Sequence, residues 1–187
     1  MSFPGIPSLD AAVMAFIQTH FHNTVTDTVF PIITSLGEAG IGWIVLSLVL
    51  LCFKKTRRTG SLVLIAMTVT LLFGELTLKN IICRLRPCNV FTDFPMLIAR
   101  PTSYSFPSGH TSSSFAAALI LTLRHKKVGW LAYIPAVLIA FSRIFLFVHY
   151  PTDVLAGILL GTLAALLTYF AAKAIQKRQA EKRTAQI

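Results

Sequence analysis

The sequence predicts an all-α, polytopic membrane bundle with five or six transmembrane helices. Hydrophobic residues make up 55% of the 187 residues and charged residues only 13%, a composition too apolar for a soluble domain of this size. The apolar residues are gathered in blocks that short basic clusters separate. Backbone groups find no water partner in hydrocarbon, so each block is expected to be a helix. The length suits a single membrane-embedded domain, residues 1–187.

Five stretches approach the roughly 20 apolar residues needed to cross a bilayer core about 30 Å thick. These predicted spans are approximately Gly37 or Gly40 to Phe53, Gly60 to Cys83, Ser108 to Leu123, Val128 to Val148, and Thr152 to Ala172. Residues 9–35 are more ambiguous, because polar residues such as Gln18 and Asp27 interrupt their hydrophobic run. This segment is either a further span or an amphipathic stretch in the membrane interface, and we favour the interface.

Basic clusters predict how the spans are oriented. They follow the first, third and fifth spans, within residues 54–58, 124–127 and 173–183. Alternating spans place all three on one side, which the positive-inside rule makes cytoplasmic, so residues 177–187 are expected to be a solvated cytoplasmic tail. The loop from Arg84 to Pro107 and the turn at 149–152 then lie on the extracytoplasmic side. The net charge of +10 therefore does not indicate a nucleic-acid-binding protein, which would carry its cations on a soluble core.

The N-terminus and the cysteines suggest neither processing nor cross-linking. The first basic residue is Lys54, so the basic region of a signal peptide is missing and we expect no cleavage. Cys52, Cys83 and Cys88 match no metal-binding spacing. We expect no obligatory disulfide, and pairing of Cys83 with Cys88 is the less favoured alternative.

The last predicted span contains a G-x-x-x-G pair, Gly157 and Gly161. Such pairs let a second helix approach closely. In a chain with several spans, packing inside the chain is favoured over a dimer contact. The sequence leaves the oligomeric state open.

Three cations near predicted helix ends suggest a binding site for phosphate. A charged residue at the centre of a membrane helix costs about 2.5–3.5 kcal/mol on insertion scales, so Arg143 and Lys79 require partners. Lys79 has a simpler alternative, in which it extends to the surface beside Glu75. Convergence of these two with Arg86, held by Pro87, favours a phosphate cradle instead.

The Pro-Ser-Gly-His sequence at 107–110 predicts the start of a helix. Ser108 can cap the helix, Gly109 permits close approach to the backbone, and the first N–H groups are free to bind an oxyanion. An ordinary N-cap is the alternative for these residues alone. His110 favours the functional interpretation, because it places a group that can donate or accept a proton beside the anion site.

His149 and Asp153 are four residues apart, with Pro151 between them. The proline fits the first turn of the last span, so His149 ends the preceding turn and Asp153 lies within its reach. A carboxylate that accepts one imidazole N–H leaves the other nitrogen free to attack. Helix capping is the alternative for these two residues alone, and together with the other clusters a nucleophile is favoured.

These three clusters, K-x6-R-P, P-S-G-H and S-R-x5-H-x3-D, resemble the signature of the type 2 phosphatidic acid phosphatase family. Every specified position from Lys79 to Asp153 matches. The residues before Gly60 and the charged tail match only in general character. Soluble vanadium-dependent haloperoxidases share the signature, but the hydropathy of this chain disfavours that branch.

The resemblance implies a role for each residue. His149 would take the phosphoryl group, Asp153 would orient it and His110 would protonate the leaving oxygen, after which water would hydrolyse the phosphohistidine. Phosphate oxygens would be held by Lys79, Arg86, Ser108, Gly109 and Arg143. No metal and no other cofactor are implied, and Asp93 is the sole carboxylate of the loop from Arg84 to Pro107.

An external site in a membrane suits a substrate whose phosphate lies at headgroup level. We therefore expect an isoprenoid or glycerolipid phosphate as substrate, membrane lipids as surroundings and a bacterial cell membrane as location. Undecaprenyl diphosphate is the first choice, and phosphatidylglycerophosphate and phosphatidic acid are alternatives. A lipid phosphotransferase and a non-enzymatic lipid carrier or flippase also remain open.

Overall fold

The computed structural model describes residues 3–184, and over this range the regular structure is helical, with no strand. The α-helices are Ser8–His20 (α1), Thr24–Leu36 (α2), Ile41–Cys52 (α3), Arg57–Thr70 (α4), Lys79–Ile82 (α5), Pro87–Val90 (α6), Gly109–Arg124 (α7), Tyr133–Phe145 (α8) and Pro151–Thr184 (α9). Short 3-10 turns at Glu38–Gly40 and Gly129–Ala132 lead into α3 and α8, and the π-helical segment Leu71–Leu78 joins α4 to α5. The predicted all-α class is confirmed.

Helices form where the apolar blocks predicted them, but fewer are long enough to be assigned as spans. In residues 3–184, two segments, Arg57–Val90 and Pro151–Thr184, are each long and apolar enough to cross a membrane. Thr24–Leu36 and Glu38–Cys52 together form a further candidate, bent by 44°. Gly129–Phe145 is apolar but shorter. The number of five or six spans therefore stays a prediction.

Residues 9–35 fall in two helices, α1 and α2, and their placement across the membrane or in its interface stays a prediction. Asn23 separates α1 from α2, because its side chain accepts hydrogen bonds from the backbone N–H groups of Val25 and Thr26 and caps α2. Both helices pack against the bundle. Gln18 is buried and donates to the carbonyl oxygen of Phe145 at 3.0 Å. The polar residues that break the hydrophobic run therefore cap or anchor helices.

Helix α7 lies at the centre of the bundle and packs closely on α9. A Cβ added at Gly157 would lie 2.7 Å from the carbonyl oxygen of Ser108, and one at Gly161 only 2.3 Å from that of Ser112. Both distances are too short for any side chain, so glycine is required for this approach. The G-x-x-x-G pair thus serves packing within the chain, as predicted.

The bundle has a basic end and an opposite end where the signature residues meet. Thr59 Oγ1 at the start of α4 is 3.0 Å from Nε2 of His125, just past α7, so the clusters at 54–58 and 124–127 share one end. The signature residues lie at the other ends of the same helices. Helix α9 runs to Thr184, so the predicted tail is helical and exposed up to that residue, and residues 185–187 lie outside the described range.

Candidate active site

His149 and Asp153 are brought together by the sharp turn between α8 and α9. Phe147 adopts a left-handed backbone conformation in this turn (φ 58°), and Pro151 begins α9. His149 and Asp153 are both buried, and Nδ1 of the histidine is 3.5 Å from Oδ2 of the carboxylate. The same carboxylate oxygen accepts the backbone N–H of Tyr150 at 2.9 Å. The predicted pair is therefore in place, with Asp153 held at the start of its helix.

Ser105 contacts both members of this pair, and the sequence did not predict its role. Its hydroxyl donates to Oδ2 of Asp153 and lies 3.4 Å from Nδ1 of His149. Ser105 is itself buried, and its N–H donates to the carbonyl oxygen of Arg84 at 2.7 Å. Ser105 lies in an irregular loop among other small and polar residues, so no periodicity or spacing distinguishes it in the sequence.

Arg86 contacts the other side of the imidazole. Its Nη1 lies 2.9 Å from Nε2 of His149 and donates to the carbonyl oxygen of Val148 at 2.9 Å. Its Nε donates to the carbonyl oxygen of Ser103 at 2.7 Å. A guanidinium can only donate, so Nε2 must carry the lone pair and Nδ1 the ring proton, facing Asp153. This is the tautomer that a nucleophilic Nε2 requires.

Lys79 and Arg143 face the same cavity as Arg86. The Lys79 side chain is buried, with 5% of its surface exposed, and its Nζ donates to both carboxylate oxygens of Glu75 at 2.6 and 2.7 Å. The pairing with Glu75 that the simpler interpretation proposed is present, but the lysine faces inward. Arg143 donates to the hydroxyl of Thr34 through Nη1, and its Nε has no hydrogen-bond partner within residues 3–184.

The start of α7 lies against Glu75. Ser108 caps the helix, since its hydroxyl accepts the N–H of Thr111 at 3.4 Å and the Thr111 hydroxyl at 2.9 Å. A Cβ added at Gly109 would lie 2.1 Å from Oε1 of Glu75, so a carboxylate oxygen already occupies the space beside this helix start. The positive end of a helix dipole attracts such an anion. A phosphate oxygen could take the same position.

His110 is the next residue of α7, and its ring faces the cavity. Nε2 of His110 lies 3.5 Å from Oε2 of Glu38, which is longer than a normal hydrogen bond. Glu38 lies in the short turn between α2 and α3, which was not predicted to reach the site. Ser108, by contrast, is buried behind the cavity wall with its hydroxyl engaged by Thr111, so direct binding of phosphate by Ser108 stays a prediction.

One cavity of about 940 Å³ joins the three cations and both histidines. Its polar lining includes Lys79, Arg86, His110, Arg143 and His149. Its lining also includes the apolar residues Ile44, Leu64, Met67 and Leu71, from α3, α4 and the segment after α4. A cavity with both cations and apolar residues suits a ligand that carries a phosphate and a hydrocarbon chain.

A second ion network supports Asp153 from behind, through two residues the sequence did not single out. Arg84 donates to Oδ1 of Asp153 at 2.6 Å and to Oδ2 of Asp10 at 2.7 Å. Asp10 in turn accepts the backbone N–H and the hydroxyl of Thr152, at 2.9 and 2.7 Å. The sequence signals were an acidic residue in a largely apolar helix and an arginine two positions before Arg86.

The electrostatic environment keeps His149 neutral. Burial lowers the pKa of His149 well below its ordinary value of 6.5, and the charges of Arg86, Arg143 and Lys79 lower this pKa further. A neutral imidazole is the nucleophilic form. Within residues 3–184, no group of three or more His, Cys, Asp or Glu side chains is arranged to hold a metal ion.

Fold and site together define an all-helical membrane protein in which two histidines and three cations line one cavity. The sequence profile of the PAP2 superfamily matches residues 59–177. The chain therefore belongs to the PAP2 superfamily.

Individual relatives agree with this assignment. The chain is 39% identical over 127 residues to an undecaprenyl-diphosphatase of Sulfolobus acidocaldarius, a match that covers 67% of this chain and 61% of that protein. It is 29% identical over 156 residues to the undecaprenyl-diphosphatase BcrC of Bacillus subtilis, covering 79% of this chain and 76% of the relative.

Among solved structures, the fold resembles the crystal structure of a transmembrane PAP2-type phosphatidylglycerolphosphate phosphatase from Bacillus subtilis. The TM-score is 0.73 at 29% identity, with 92% of this chain and 89% of that chain covered. These relatives are named as phosphatases of different lipid phosphates. Family membership therefore does not identify the substrate.

Proposed function

We propose that this protein is a membrane lipid phosphatase that transfers a phosphoryl group from a lipid phosphate or diphosphate first to His149 and then to water. The observation that carries the proposal is the contact of Arg86 Nη1 with His149 Nε2 at 2.9 Å. It places a phosphate-binding guanidinium at the imidazole nitrogen that carries the lone pair. Lys79 and Arg143 line the same cavity, so three positive charges surround the position of attack.

In the first step, the substrate phosphate binds to the three cationic side chains. Arg86, Lys79 and Arg143 bind its non-bridging oxygens, and the backbone N–H of Gly109 adds the positive end of α7. The lone pair on Nε2 of His149 attacks phosphorus as the bond to the leaving oxygen breaks. Asp153 stabilises the positive charge that forms on the ring.

His110 supplies the proton that the leaving oxygen requires. In the second step His110, now neutral, takes a proton from water as the water oxygen attacks phosphorus and the P–N bond breaks. Inorganic phosphate leaves and both histidines return to their starting forms. The balance of atoms and protons closes without a metal or another cofactor.

The mixed lining of the cavity supports a lipid as substrate. Ile44, Leu64 and Met67 offer apolar contacts to a hydrocarbon chain, while the cations bind the phosphate. Undecaprenyl diphosphate is the favoured substrate, because the two undecaprenyl-diphosphatase relatives match over much of the chain. Phosphatidylglycerophosphate, the substrate in the name of the structural relative, and phosphatidic acid are alternatives.

Location and orientation belong to the same proposal. The basic end of the bundle would face the cytoplasm by the positive-inside rule, which leaves the cavity on the extracytoplasmic side of a bacterial cell membrane. Five spans would comprise the bent pair α2–α3, the continuous helix α4–α5, and α7, α8 and α9. Helix α1 would be the sixth, shorter element.

The test is phosphate release by purified protein from a panel of lipid phosphates. The panel contains undecaprenyl diphosphate, phosphatidylglycerophosphate and phosphatidic acid, each assayed with and without EDTA. We expect turnover that EDTA leaves unchanged and that His149→Ala lowers by several orders of magnitude, since this variant lacks the covalent nucleophile. The matched control is His20→Ala, an exposed histidine on α1.

Each competing function predicts a different result. A phosphotransferase would place radiolabel from the terminal phosphate on a second lipid and not in free phosphate. A non-enzymatic carrier would bind the lipid but release no phosphate, and His149→Ala would leave binding intact. Retention of full turnover by His149→Ala would overturn the proposed mechanism.

A further inference from the structure

The N-terminal helix α1 reaches the back of the candidate active site through one buried carboxylate. Asp10 and Asp153 are both fully buried, and Arg84 lies between them with one guanidinium nitrogen on each, at 2.7 and 2.6 Å. Burial of two carboxylates beside the partly exposed Arg84 is unfavourable unless each carboxylate is paired and hydrogen-bonded. The network therefore specifies one arrangement of its members.

Asp10 also fixes the helix that carries Asp153. Its Oδ1 accepts the backbone N–H of Thr152, and its Oδ2 accepts the Thr152 hydroxyl. Thr152 directly precedes Asp153 in the first turn of α9, where a carboxylate also interacts favourably with the helix dipole. Asp10 thus holds Asp153 twice, through Arg84 and through the backbone of the neighbouring residue.

We propose that Asp10 is a positioning residue for catalysis, which acts through Arg84 to set both the position of the Asp153 carboxylate and the net charge that faces His149. Arg84 occupies Oδ1 of Asp153, and this leaves Oδ2 for Ser105 and His149. The inference rests on the phosphatase function proposed above. It makes α1, which precedes the family-matched residues 59–177, a part of the catalytic apparatus.

The charge balance gives the proposal its mechanism. Asp10, Arg84 and Asp153 carry two negative charges and one positive, so the trio faces His149 with one net negative charge. The negative charge of Asp10 partly neutralises Arg84. Asp153 therefore keeps enough net negative charge to stabilise the positive phosphorylated imidazole. Without Asp10, Asp153 alone balances the positive charge of Arg84, so the pair presents no net negative charge to that positive ring.

The test is a double-mutant cycle with Asp10→Asn and Arg84→Gln, both close to the original side chains in size. We expect Asp10→Asn to lower kcat about tenfold and Arg84→Gln about 100-fold, the range for residues that orient a catalytic group, with KM within about threefold of the wild type. The double variant restores the single net negative charge. Arg84→Gln alone leaves two buried carboxylates close together without a cation, and Asp10→Asn removes that repulsion, so the double variant should be more active than Arg84→Gln alone.

A purely structural network would behave differently. Each substitution, and the double variant, would then lower the unfolding temperature, while kcat of the folded protein would stay that of the wild type. That result would overturn the inference, as would a raised KM at unchanged kcat in Asp10→Asn. The matched control is Asp27→Asn in α2, which removes a carboxylate paired with His22 at 2.7 Å, away from the cavity. It should leave kcat unchanged.

Two further measurements keep the outcomes separable. If Asp10→Asn does not fold, Thr152→Val tests the same network, because it removes the hydroxyl contacts with Asp10 and with Arg84, each 2.7 Å, without removing a buried charge. We expect it to lower kcat about threefold by misplacing the carboxylate, with the unfolding temperature reported alongside, and unchanged kcat would overturn the inference. If the wild type itself releases no phosphate, the proposed function fails first. If the wild type releases phosphate and Asp10→Asn has the same kcat, the positioning role of Asp10 is refuted while the proposed function stands.

Discussion

Arg86 donates through Nη1 toward Nε2 of His149 across 2.9 Å, in the interior of the protein. This relationship fixes the imidazole tautomer and marks the nitrogen that phosphorus would meet. The remaining guanidinium nitrogens are held by the carbonyl and hydroxyl oxygens of Ser103. The arginine is thus oriented before any phosphate binds, which reduces the reorganisation that the reaction would need.

Substitution of Arg86 by lysine should lower kcat strongly although the charge is retained. A lysine presents one point charge and cannot contact Ser103, Val148 and His149 together as the guanidinium does. We expect a loss of about 100-fold, comparable to removal of one preorganised donor. Steady-state phosphate release measures it, with Arg124→Lys at the basic end as control. Equal activity of the two variants would show that geometry at Arg86 is unimportant.

The pH dependence should show an unusually acidic limb. The pKa of His149 is lowered by burial and by three cations, so His149 in the free enzyme is neutral at pH 6.5 and loses its lone pair to a proton only at lower pH. The acidic limb of kcat/KM, after correction for the phosphate ionisation of the substrate, should therefore lie below 6.5. A bound phosphate offsets the cations, so the limb of kcat should lie at higher pH than that of kcat/KM. A corrected limb of kcat/KM at or above 6.5 would contradict this environment for His149.

The sequence predicted the parts of this site that depend on local chemistry. Pro151 indicated a break between His149 and Asp153, and Ser108 indicated the start of α7. The blocks of apolar residues located the helices within a few positions, except that α9 continues twelve residues past the predicted end at Ala172. These features are encoded by residues close to one another in the chain, so spacing and composition are enough to find them.

The supporting residues could not be predicted, because their roles depend on contacts across the fold. Asp10 is 143 positions from the aspartate that it helps to hold, through an arginine that the signature does not specify. Ser105 lies in a loop without periodicity. Thr34 meets Arg143 only because α2 packs beside α8. In each case one polar residue is indistinguishable from its neighbours until its partner is known.

Loss of His110 should depend on the leaving group. A lipid monophosphate releases an alkoxide, which needs a proton, whereas a diphosphate releases a phosphate monoester, which is a better leaving group. His110→Ala should therefore lower kcat/KM by about 10²–10⁴ for farnesyl phosphate, the usual range for a general acid, and by less for farnesyl diphosphate. These two substrates share the same hydrocarbon chain. Equal losses on both would exclude His110 as the proton donor to the leaving oxygen.

Alanine at either glycine of the α7–α9 contact should destabilise the bundle. The added Cβ would lie 2.7 Å from the Ser108 carbonyl at Gly157 and 2.3 Å from the Ser112 carbonyl at Gly161, and overpacking of this kind costs about 1–3 kcal/mol. Thermal unfolding in detergent should show a lower Tm for both variants. Gly157→Ala should also lower kcat, because it pushes against the residue that caps α7. The exposed Ala174→Ser on α9 should change neither quantity.

The native cysteines can report which side of the membrane the cavity faces. Cys83 is exposed near the signature residues, Cys52 is exposed at the basic end, and Cys88 is buried. If the basic end is cytoplasmic, a membrane-impermeant maleimide should label Cys83 in right-side-out vesicles and Cys52 only in inverted ones. Single-cysteine variants, identified by mass spectrometry, assign each label, and Cys88 serves as the unlabelled control in both. Labelling of Cys52 alone from outside would reverse the orientation and put the cavity on the cytoplasmic side, where a lipid phosphate would have to be supplied from within the cell.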